Sequence, residues 1–310
     1  MAGTGLAAVL VNTVIARKPP LGGLNLGDDP VANTMAQART RGRAWMEATP
    51  RSRWVLTAHD GVELAGYYFP TTQPAADTAV LIHGHRADAS LMGDFARHYR
   101  DRGFNVFMAD NRGHGESGGA YVGMGWLDHL DYLAWTRRIA ATVAADTGRD
   151  ARIVVHGVSM GAATALIMSG SPDLAEHVRA VISDCSFSSA RDELAHHLHA
   201  RHLPASPTLA ITDRLCLRMA GYRLTRASPQ QAITGARTPI LLIHGSADTY
   251  NPTWMGRRLH QAHPAAWLWI APGAEHGMSY YTDPDTYLHQ IDQFLTALTA
   301  LQPDDSHPGP

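Results

Sequence analysis

A serine between two glycines is the first feature of this sequence that suggests chemistry. The stretch VVHGVSMGAAT, residues 154–164, places Ser159 between Gly157 and Gly161, after β-branched residues and before a run of small ones. This order predicts a strand, a tight turn and a helix, with the serine on the turn. Side chains two positions away would crowd such a turn, and glycine removes that crowding. We predict that Ser159 is a nucleophile, the alternative being a structural serine in a glycine-rich loop.

A serine hydroxyl is a weak nucleophile, so this prediction requires a base and a carboxylate that orients the base. His276 follows the apolar run 267–270 in a glycine-flanked loop, and Asp248 follows the apolar run 240–243. Position in the chain singles out His276 among the eighteen histidines of the sequence. We predict His276 as the base and Asp248 as the acid. Asp184, at the end of an earlier apolar run, is the alternative acid.

The same chemistry needs two backbone N–H groups that stabilise the negatively charged oxygen of a tetrahedral intermediate. One should belong to Met160, which follows the serine. The other is expected in the loop after the first parallel strand. There, Gly84 lets the backbone approach a substrate and the amide of His85 can point inward.

Other polar residues near these loops are interpreted as structural. His114 precedes the serine in the stretch DNRGHGES, residues 110–117, and we expect Asp110 and Arg112 of that stretch to support the oxyanion loop by hydrogen bonds. A separate group of histidines lies further along the chain: His196, His197, His199 and His202. No carboxylate completes a clear site with them, so we predict no metal, and we also predict no cofactor.

The elements that must position these residues follow from apolar runs. Residues 54–69 predict a hairpin that turns at Asp60 and Gly61. Six continuous apolar runs come next, at 79–82, 106–109, 152–155, 180–183, 240–243 and 267–270. Such runs are typical of strands buried on both faces of a mostly parallel sheet. The segments between them predict helices near 90–102, 126–146, 160–169, 253–262 and 284–301.

The domain organisation follows from the lengths of the connections. About fifty residues separate the strand ending near Asp184 from the next strand, which predicts an inserted helical lid at about 186–237. The lid belongs to one α/β domain over residues 51–302. An apolar segment and a polar, turn-rich arm precede this domain in residues 1–50, and residues 303–310 predict a disordered tail.

Composition excludes several function classes. The chain has 310 residues, 45% of them hydrophobic, which suits one large enzyme-sized domain. With 26 basic and 28 acidic residues the formal charge is −2, so we expect no nucleic-acid partner. Lys18 is the single lysine, which argues against a phosphate-binding P-loop or a Schiff-base lysine in the core. Cys185 and Cys216 are far apart and are interpreted as packing residues.

The apolar N-terminal segment over residues 5–16 has two interpretations. Its twelve residues are too few to cross a bilayer, which takes roughly 20. We favour a docked N-terminal helix and a cytoplasmic protein. Peripheral membrane association through residues 5–16 is the alternative.

Taken together, these motifs resemble the α/β-hydrolase superfamily, and more narrowly the bacterial serine aminopeptidase-like and esterase-like hydrolases. The matching stretches are HGH at 83–85, DNRGHGES at 110–117, GVSMG at 157–161, Ala-Ser-Pro at 227–229, HGSAD at 244–248 and EHG at 275–277. The resemblance covers roughly residues 50–300. The apolar N-terminal run is shorter than the membrane anchor that such relatives usually carry.

The resemblance implies a doubly wound, mostly parallel sheet with an antiparallel N-terminal hairpin and a small helical lid. It also implies acyl transfer, in which Ser159 attacks a carbonyl, His276 takes the proton and Asp248 holds the imidazolium. The amides of His85 and Met160 would bind the oxyanion. The expected substrate is a small acyl compound or a short peptide.

Three functions stay open at this point. Hydrolysis of a carboxylic ester or related acyl bond is the leading hypothesis. A serine aminopeptidase would need an acidic pocket for the peptide ammonium, for which the lid offers Asp192, Glu193 and Asp213. A non-catalytic ligand-binding protein on the same fold is the third.

Overall fold

One eight-stranded sheet organises the molecule. The computed structural model describes residues 2–17 and 30–300, so the predicted tail over 303–310 lies outside the described residues. The strands are β1 (Ser52–Thr57), β2 (Glu63–Phe69), β3 (Asp77–Ile82), β4 (Asn105–Ala109), β5 (Arg152–Val158), β6 (Val178–Asp184), β7 (Ile240–Gly245) and β8 (Trp267–Ala271). Their order is β1-β2-β4-β3-β5-β6-β7-β8.

The sheet is antiparallel at one edge and parallel elsewhere. β2 pairs antiparallel with β1 and with β4, and every other neighbouring pair is parallel. The predicted hairpin and the six predicted strands are therefore confirmed. Five of the six are buried as predicted, whereas β8, at the edge of the sheet, is only partly buried. Because the parallel strands all end at one edge, the loops that carry Ser159, Asp248 and His276 meet there.

Helices cover both faces of the sheet and the edge where the parallel strands end. They are α1 (Ala2–Ile15), α2 (Pro30–Ala48), α3 (Gly93–Asp101), α4 (Trp126–Thr147), α5 (Met160–Ser169), α6 (Ala190–Ala200), α7 (Ala205–Ala220), α8 (Pro229–Ala232), α9 (Thr253–Ala262), α10 (Ser279–Thr282) and α11 (Pro284–Ala300). Short 3₁₀ turns occur at Ala89–Met92, Leu224–Arg226 and Ile233–Gly235. Among the helices described, none is long and apolar enough to cross a membrane.

The two faces of the sheet build two hydrophobic cores. Alternate residues of β3 point to opposite sides, with Val80 and Ile82 in one core and Ala79 and Leu81 in the other. The first core includes residues of α4, α5 and α9, and the second includes residues of α2, α3 and α11. This double covering explains why the strands read as continuous apolar runs.

The arm before the hairpin differs from the prediction. Its residues 30–48 form α2 rather than turns. The buried stripe of α2 consists of Ala38, Gly42 and Met46, and a side chain on Gly42 would overlap the carbonyl oxygen of Ser90. A helix that packs mainly through small residues lacks the large apolar periodicity that makes helices recognisable in a sequence.

A third apolar cluster lies above the carboxyl ends of the strands. It joins residues of α1, α6 and α7, which include Val11, Ile15, Leu194, Leu198 and Leu209. Residues 186–237, where the lid was predicted, contain α6, α7, α8 and two 3₁₀ turns. The N-terminal helix α1 packs with this insertion, so the cover over the strand ends has two parts that are distant in sequence.

Candidate active site

Ser159 lies on a sharp turn between β5 and α5. Its φ of 57° and ψ of −118° are strained values for a residue with a side chain. A Cβ on Gly157 would overlap the carbonyl oxygen of Gly161, and a Cβ on Gly161 would overlap that of Ile82. Both flanking positions therefore require glycine because backbone atoms approach them closely. The turn holds the Ser159 hydroxyl at the N-terminus of α5.

Ser159 belongs to a hydrogen-bonded chain of three side chains. Its Oγ is 2.9 Å from Nε2 of His276, and Nδ1 of His276 is 2.8 Å from Oδ2 of Asp248. The other oxygen of Asp248 accepts hydrogen bonds from the amides of Tyr250 and Asn251, at 2.9 and 2.8 Å. An ionised carboxylate only accepts, so Nδ1 carries the imidazole proton and Nε2 is free to accept the serine proton.

The alternative acid, Asp184, has different partners. It is fully buried, and the hydroxyl of Ser279 donates a hydrogen bond of 2.8 Å to its Oδ1. Burial raises the pKa of Asp184 to about 7. The structure thus brings Asp248, and not Asp184, into hydrogen-bond contact with His276.

The predicted oxyanion loop lies beside the serine. A Cβ on Gly84 would be 3.3 Å from Cβ of Ser159 and 3.4 Å from the carbonyl oxygen of Val158. His85 and Met160 line the same cavity as Ser159. Met160 is the first residue of α5, where helical amides have no intrahelical partner. These positions are compatible with the predicted amide roles, which stay predictions.

The support of this loop differs in part from the prediction. Arg112 does not support it, since its guanidinium pairs with Asp131 at 2.7 Å and with Asp60 at 2.7 Å. The residue that sequence reasoning missed is Asn111. Its backbone N–H donates a hydrogen bond to Nε2 of His83, and its side-chain Nδ2 donates one to the carbonyl oxygen of His83, each at 2.9 Å. The only sequence signal for Asn111 is its place after a buried strand.

Asp110 and His114 hold the backbone around the same loop. Oδ1 of Asp110 accepts a hydrogen bond of 2.8 Å from the amide of Ala89. Nε2 of His114 accepts one of 3.0 Å from the amide of Arg86, whose φ is 58°. Burial lowers the pKa of His114, so its ring is the neutral acceptor that this contact requires. These contacts agree with the structural interpretation of His114.

A cavity of about 570 Å³ opens above the serine. Its floor is formed by Ser159, Met160 and His276. Its walls come from α1, α6 and neighbouring loops and are mostly apolar: Leu6, Leu10, Val14, Phe187, Leu194 and Leu198. A second cavity, of about 910 Å³, lies among the loops around 169–179 and 235–239, at the opposite end of the strands. Volume alone would favour the second cavity, but only the first contains the hydrogen-bonded chain.

The three acidic residues of the lid lie in different surroundings. Asp192 pairs with Arg258 at 3.1 Å, and Asp213 pairs with Arg223 at 2.7 Å. Glu193 lines the cavity and is only 6% exposed. Its Oε2 has no hydrogen-bond partner within the part of the chain that the structure describes. Burial raises the pKa of Glu193 to about 7.

Two histidines of α6, His196 and His197, contact the loop that carries Asp248. The rings of His197 and His276 both pack on Tyr250, with centroids 4.4 and 4.7 Å away. Nε2 of His196 lies 3.0 Å from the carbonyl oxygen of Thr249. The lid and the loop that carries Asp248 are therefore joined by ring contacts and a hydrogen bond.

One group of possible metal ligands was found among the described residues. Cys185, Asp248 and His276 have donor atoms within 4.8 Å of one another. The carboxylate and the imidazole already bond each other, and burial raises the pKa of the Cys185 thiol, which keeps it protonated. This chemistry favours hydrogen bonding over metal binding.

Comparison with known proteins places this arrangement in a family. A family model described as serine aminopeptidase, S33, matches residues 73–212. The Bacillus subtilis protein YqkD, described as uncharacterized, is 31% identical over 253 residues, which cover 80% of each chain. The chain belongs to the α/β-hydrolase superfamily.

Further relatives of this α/β hydrolase extend the comparison. The Escherichia coli K12 protein YfhR, also described as uncharacterized, is 30% identical over 259 residues, or 81% of each chain. The Pyrococcus furiosus esterase Pf2001 superposes with a TM-score of 0.64 over 90% of this chain and 99% of its own. Its sequence identity is 18%, so that likeness shows the fold alone. Family and fold together identify a hydrolase.

Proposed function

We propose that this hydrolase cleaves a carboxylic ester or a related acyl bond through an acyl-enzyme on Ser159. The observation that supports this most is the hydrogen-bonded chain from Ser159 through His276 to Asp248 at the floor of an apolar cavity. An apolar cavity with a few convergent polar groups is typical of a small-molecule site.

The proposed reaction has two halves. Oγ of Ser159 attacks the acyl carbon while its proton passes to Nε2 of His276, and Asp248 stabilises the imidazolium. The amides of His85 and Met160 donate hydrogen bonds to the oxyanion. When the intermediate collapses, the leaving group departs with the proton from His276. A water molecule, deprotonated by His276, then attacks the acyl-enzyme and releases the acid and the free serine.

Substitution of the serine tests this proposal. We expect Ser159→Ala to lose roughly 10⁴-fold or more in kcat on p-nitrophenyl butyrate and to lose labelling by a fluorophosphonate. The matched control is Ser169→Ala, because Ser169 lies at the far end of α5 and bonds the carbonyl oxygen of Leu166. Undiminished labelling of Ser159→Ala would contradict the proposal. Stoichiometric binding of an acyl ligand without any turnover by the wild type would favour the non-catalytic alternative.

A serine aminopeptidase is the second candidate, and Glu193 is the observation that favours it. An unpaired buried carboxyl group is costly unless a ligand satisfies it. A peptide ammonium that entered the cavity would supply the missing donor and would favour the ionised carboxylate.

Paired substrates separate the two candidates. For an aminopeptidase we expect aminoacyl p-nitroanilides to react only with a free α-amino group, and Glu193→Gln to reduce their kcat/KM by at least tenfold. The matched control is Asp192→Asn, since Asp192 is paired with Arg258. For the acyl hydrolase we expect simple acyl esters to be the better substrates, with N-acetylation of an amino acid making no difference.

A further inference from the structure

The N-terminal helix α1 presents two apolar faces, and the function proposed above assigns a specific role to neither. Ala7, Val11 and Ile15 are fully buried, and the latter two belong to the cluster shared with α6 and α7. Leu6, Leu10 and Val14 follow one another at intervals of four residues, and all three line the cavity above Ser159. Residues four positions apart lie on one side of a helix, so one side fixes α1 to the lid and the adjacent side faces the cavity.

The C-terminal end of α1 is fixed beside the candidate oxyanion loop. The guanidinium of Arg86 donates a hydrogen bond of 2.8 Å to the carbonyl oxygen of Thr13. The imidazole of His85 hydrogen-bonds the backbone of Val14. The amide of Val122 donates a bond of 2.7 Å to the carbonyl oxygen of Ile15. The end of α1 near Val14 is therefore the end nearest the reacting atoms, and the helix leads away from them towards Leu6.

The α1 wall of the cavity is apolar except for Thr13. Residues 2–16 contain no charged side chain. Across the cavity, Leu194 and Leu198 of α6 contribute further apolar surface. The space between the two helices can remove a hydrocarbon chain from water, and α1 itself carries no charge that would bind a polar chain. The guanidinium of Arg86, which lines the cavity at the C-terminal end of α1, is bonded to the carbonyl oxygen of Thr13.

We propose that α1 is the acyl-chain wall of the site and that the preferred substrates carry an unbranched acyl chain of medium length. This inference rests on the proposed function. With its carbonyl carbon at Ser159, the chain passes Val14 and Leu10 and ends near Leu6. These three residues span roughly 12 Å at about 1.5 Å per residue, which suits an extended chain of about eight to ten carbons.

The proposal predicts a graded dependence on chain length. Each methylene that becomes buried against α1 should raise kcat/KM by about fourfold. The rise should continue from acetyl to about decanoyl p-nitrophenyl esters and then stop, because the chain has passed Leu6.

Two bulky substitutions test the direction of the chain. Leu10→Trp should move the optimum to shorter chains than Leu6→Trp does, because Leu10 lies closer to the serine along the helix. In Leu10→Trp we expect the ratio of kcat/KM for octanoyl over butyryl ester to fall by at least tenfold. The matched control is Val11→Ala on the buried side of the same helix. It should lower Tm and leave that ratio within twofold of the wild type.

The outcomes are distinguishable from failure of the proposed function. If the wild type hydrolyses acetyl ester with no gain for longer chains, or if Val11→Ala shifts the ratio as Leu10→Trp does, α1 is not the acyl wall and the serine hydrolase stands. An identical optimum in Leu6→Trp and Leu10→Trp also overturns the proposal. If no ester is cleaved and the fluorophosphonate does not label Ser159, the proposed function fails and the acyl wall fails with it.

Discussion

The floor of the cavity and its cover differ in how their acidic groups are satisfied. The floor consists of the strand-end loops that carry Ser159, Asp248 and His276, and in it both oxygens of Asp248 accept hydrogen bonds. The cover consists of α1, α6 and α7. Its surface towards the cavity is mostly apolar, and the polar exceptions include Thr13 of α1 and Glu193 of α6. Oε2 of Glu193 has no hydrogen-bond partner among the described residues.

On the proposed function, this difference separates the groups that carry out the reaction from those that select the substrate. Hydrogen bonds fix side-chain directions, so the floor holds its three candidate catalytic groups in one geometry before any substrate binds. Apolar contacts are not directional, so the cover can accept substrates of different lengths, and its polar exceptions can discriminate among head groups. Substitutions in the floor should therefore change kcat strongly, and substitutions in the cover should change preference or stability.

The largest expected effect compares the two buried acids of the floor. We expect Asp248→Asn to reduce kcat on p-nitrophenyl butyrate by roughly 10³- to 10⁴-fold, because an amide cannot stabilise the imidazolium or fix the tautomer of His276. Asp184→Asn is the matched control. Burial favours the neutral form of Asp184, which an amide resembles, so its kcat should stay within about tenfold of the wild type. Equal losses in the two variants at about pH 6, where the neutral form of Asp184 predominates, would contradict the assignment of Asp248 as the acid.

The next effect tests the backbone of the floor. We expect Gly157→Ala to destabilise the protein by about 3–5 kcal/mol and to remove activity, because the new methyl group would overlap the carbonyl oxygen of Gly161. The measurement is urea unfolding together with esterase activity. Gly235→Ala is the control, because a Cβ there meets no atom of the described residues within 4 Å. A Gly157→Ala protein as stable as the control would show that the turn adapts, contrary to the geometry.

The contrast between the floor and the cover also explains which parts of the fold and of the candidate site could be predicted from the sequence. The meeting of Ser159 and His276 at one edge of the sheet was predictable, because each follows a continuous apolar run and parallel strands bring such loops together. The partners of Arg112 and Asn111 were not predictable, because neighbouring residues of one loop point in different directions and the sequence does not record which. The position of α1 over the cavity was not predictable either. It depends on packing against α6 and α7, nearly two hundred residues later in the chain.

The smallest expected effect concerns the polar exception in the cover. Folding raises the pKa of Glu193 to about 7 from its ordinary value of 4.5, because the buried carboxylate is poorly solvated. The native state then binds more protons than the unfolded state between these two values. The contribution of the Glu193 carboxyl group to the free energy of unfolding is fully present below about pH 4.5 and falls as the pH rises to about 7. We therefore expect Glu193→Gln to gain roughly 1–3 kcal/mol in the free energy of unfolding at pH 8, and little at pH 4.5.

Urea unfolding at the two pH values measures this difference directly. The control is Glu176→Gln, an exposed glutamate on the loop before β6, which should change stability by less than about 0.5 kcal/mol at either pH. If Glu193→Gln is no more stable than the wild type at pH 8, the folded protein stabilises the carboxylate of Glu193. The acids of the cover and of the floor would then both be stabilised in their ionised form. If the gain is found, and a cationic or hydrogen-bond-donating substrate analogue stabilises the wild type but not Glu193→Gln, the unpartnered oxygen is a subsite for the substrate's donor group. The selective cover, which differs from the floor with its fully bonded Asp248, would then consist of the apolar wall of α1 and a polar subsite on the facing wall of α6.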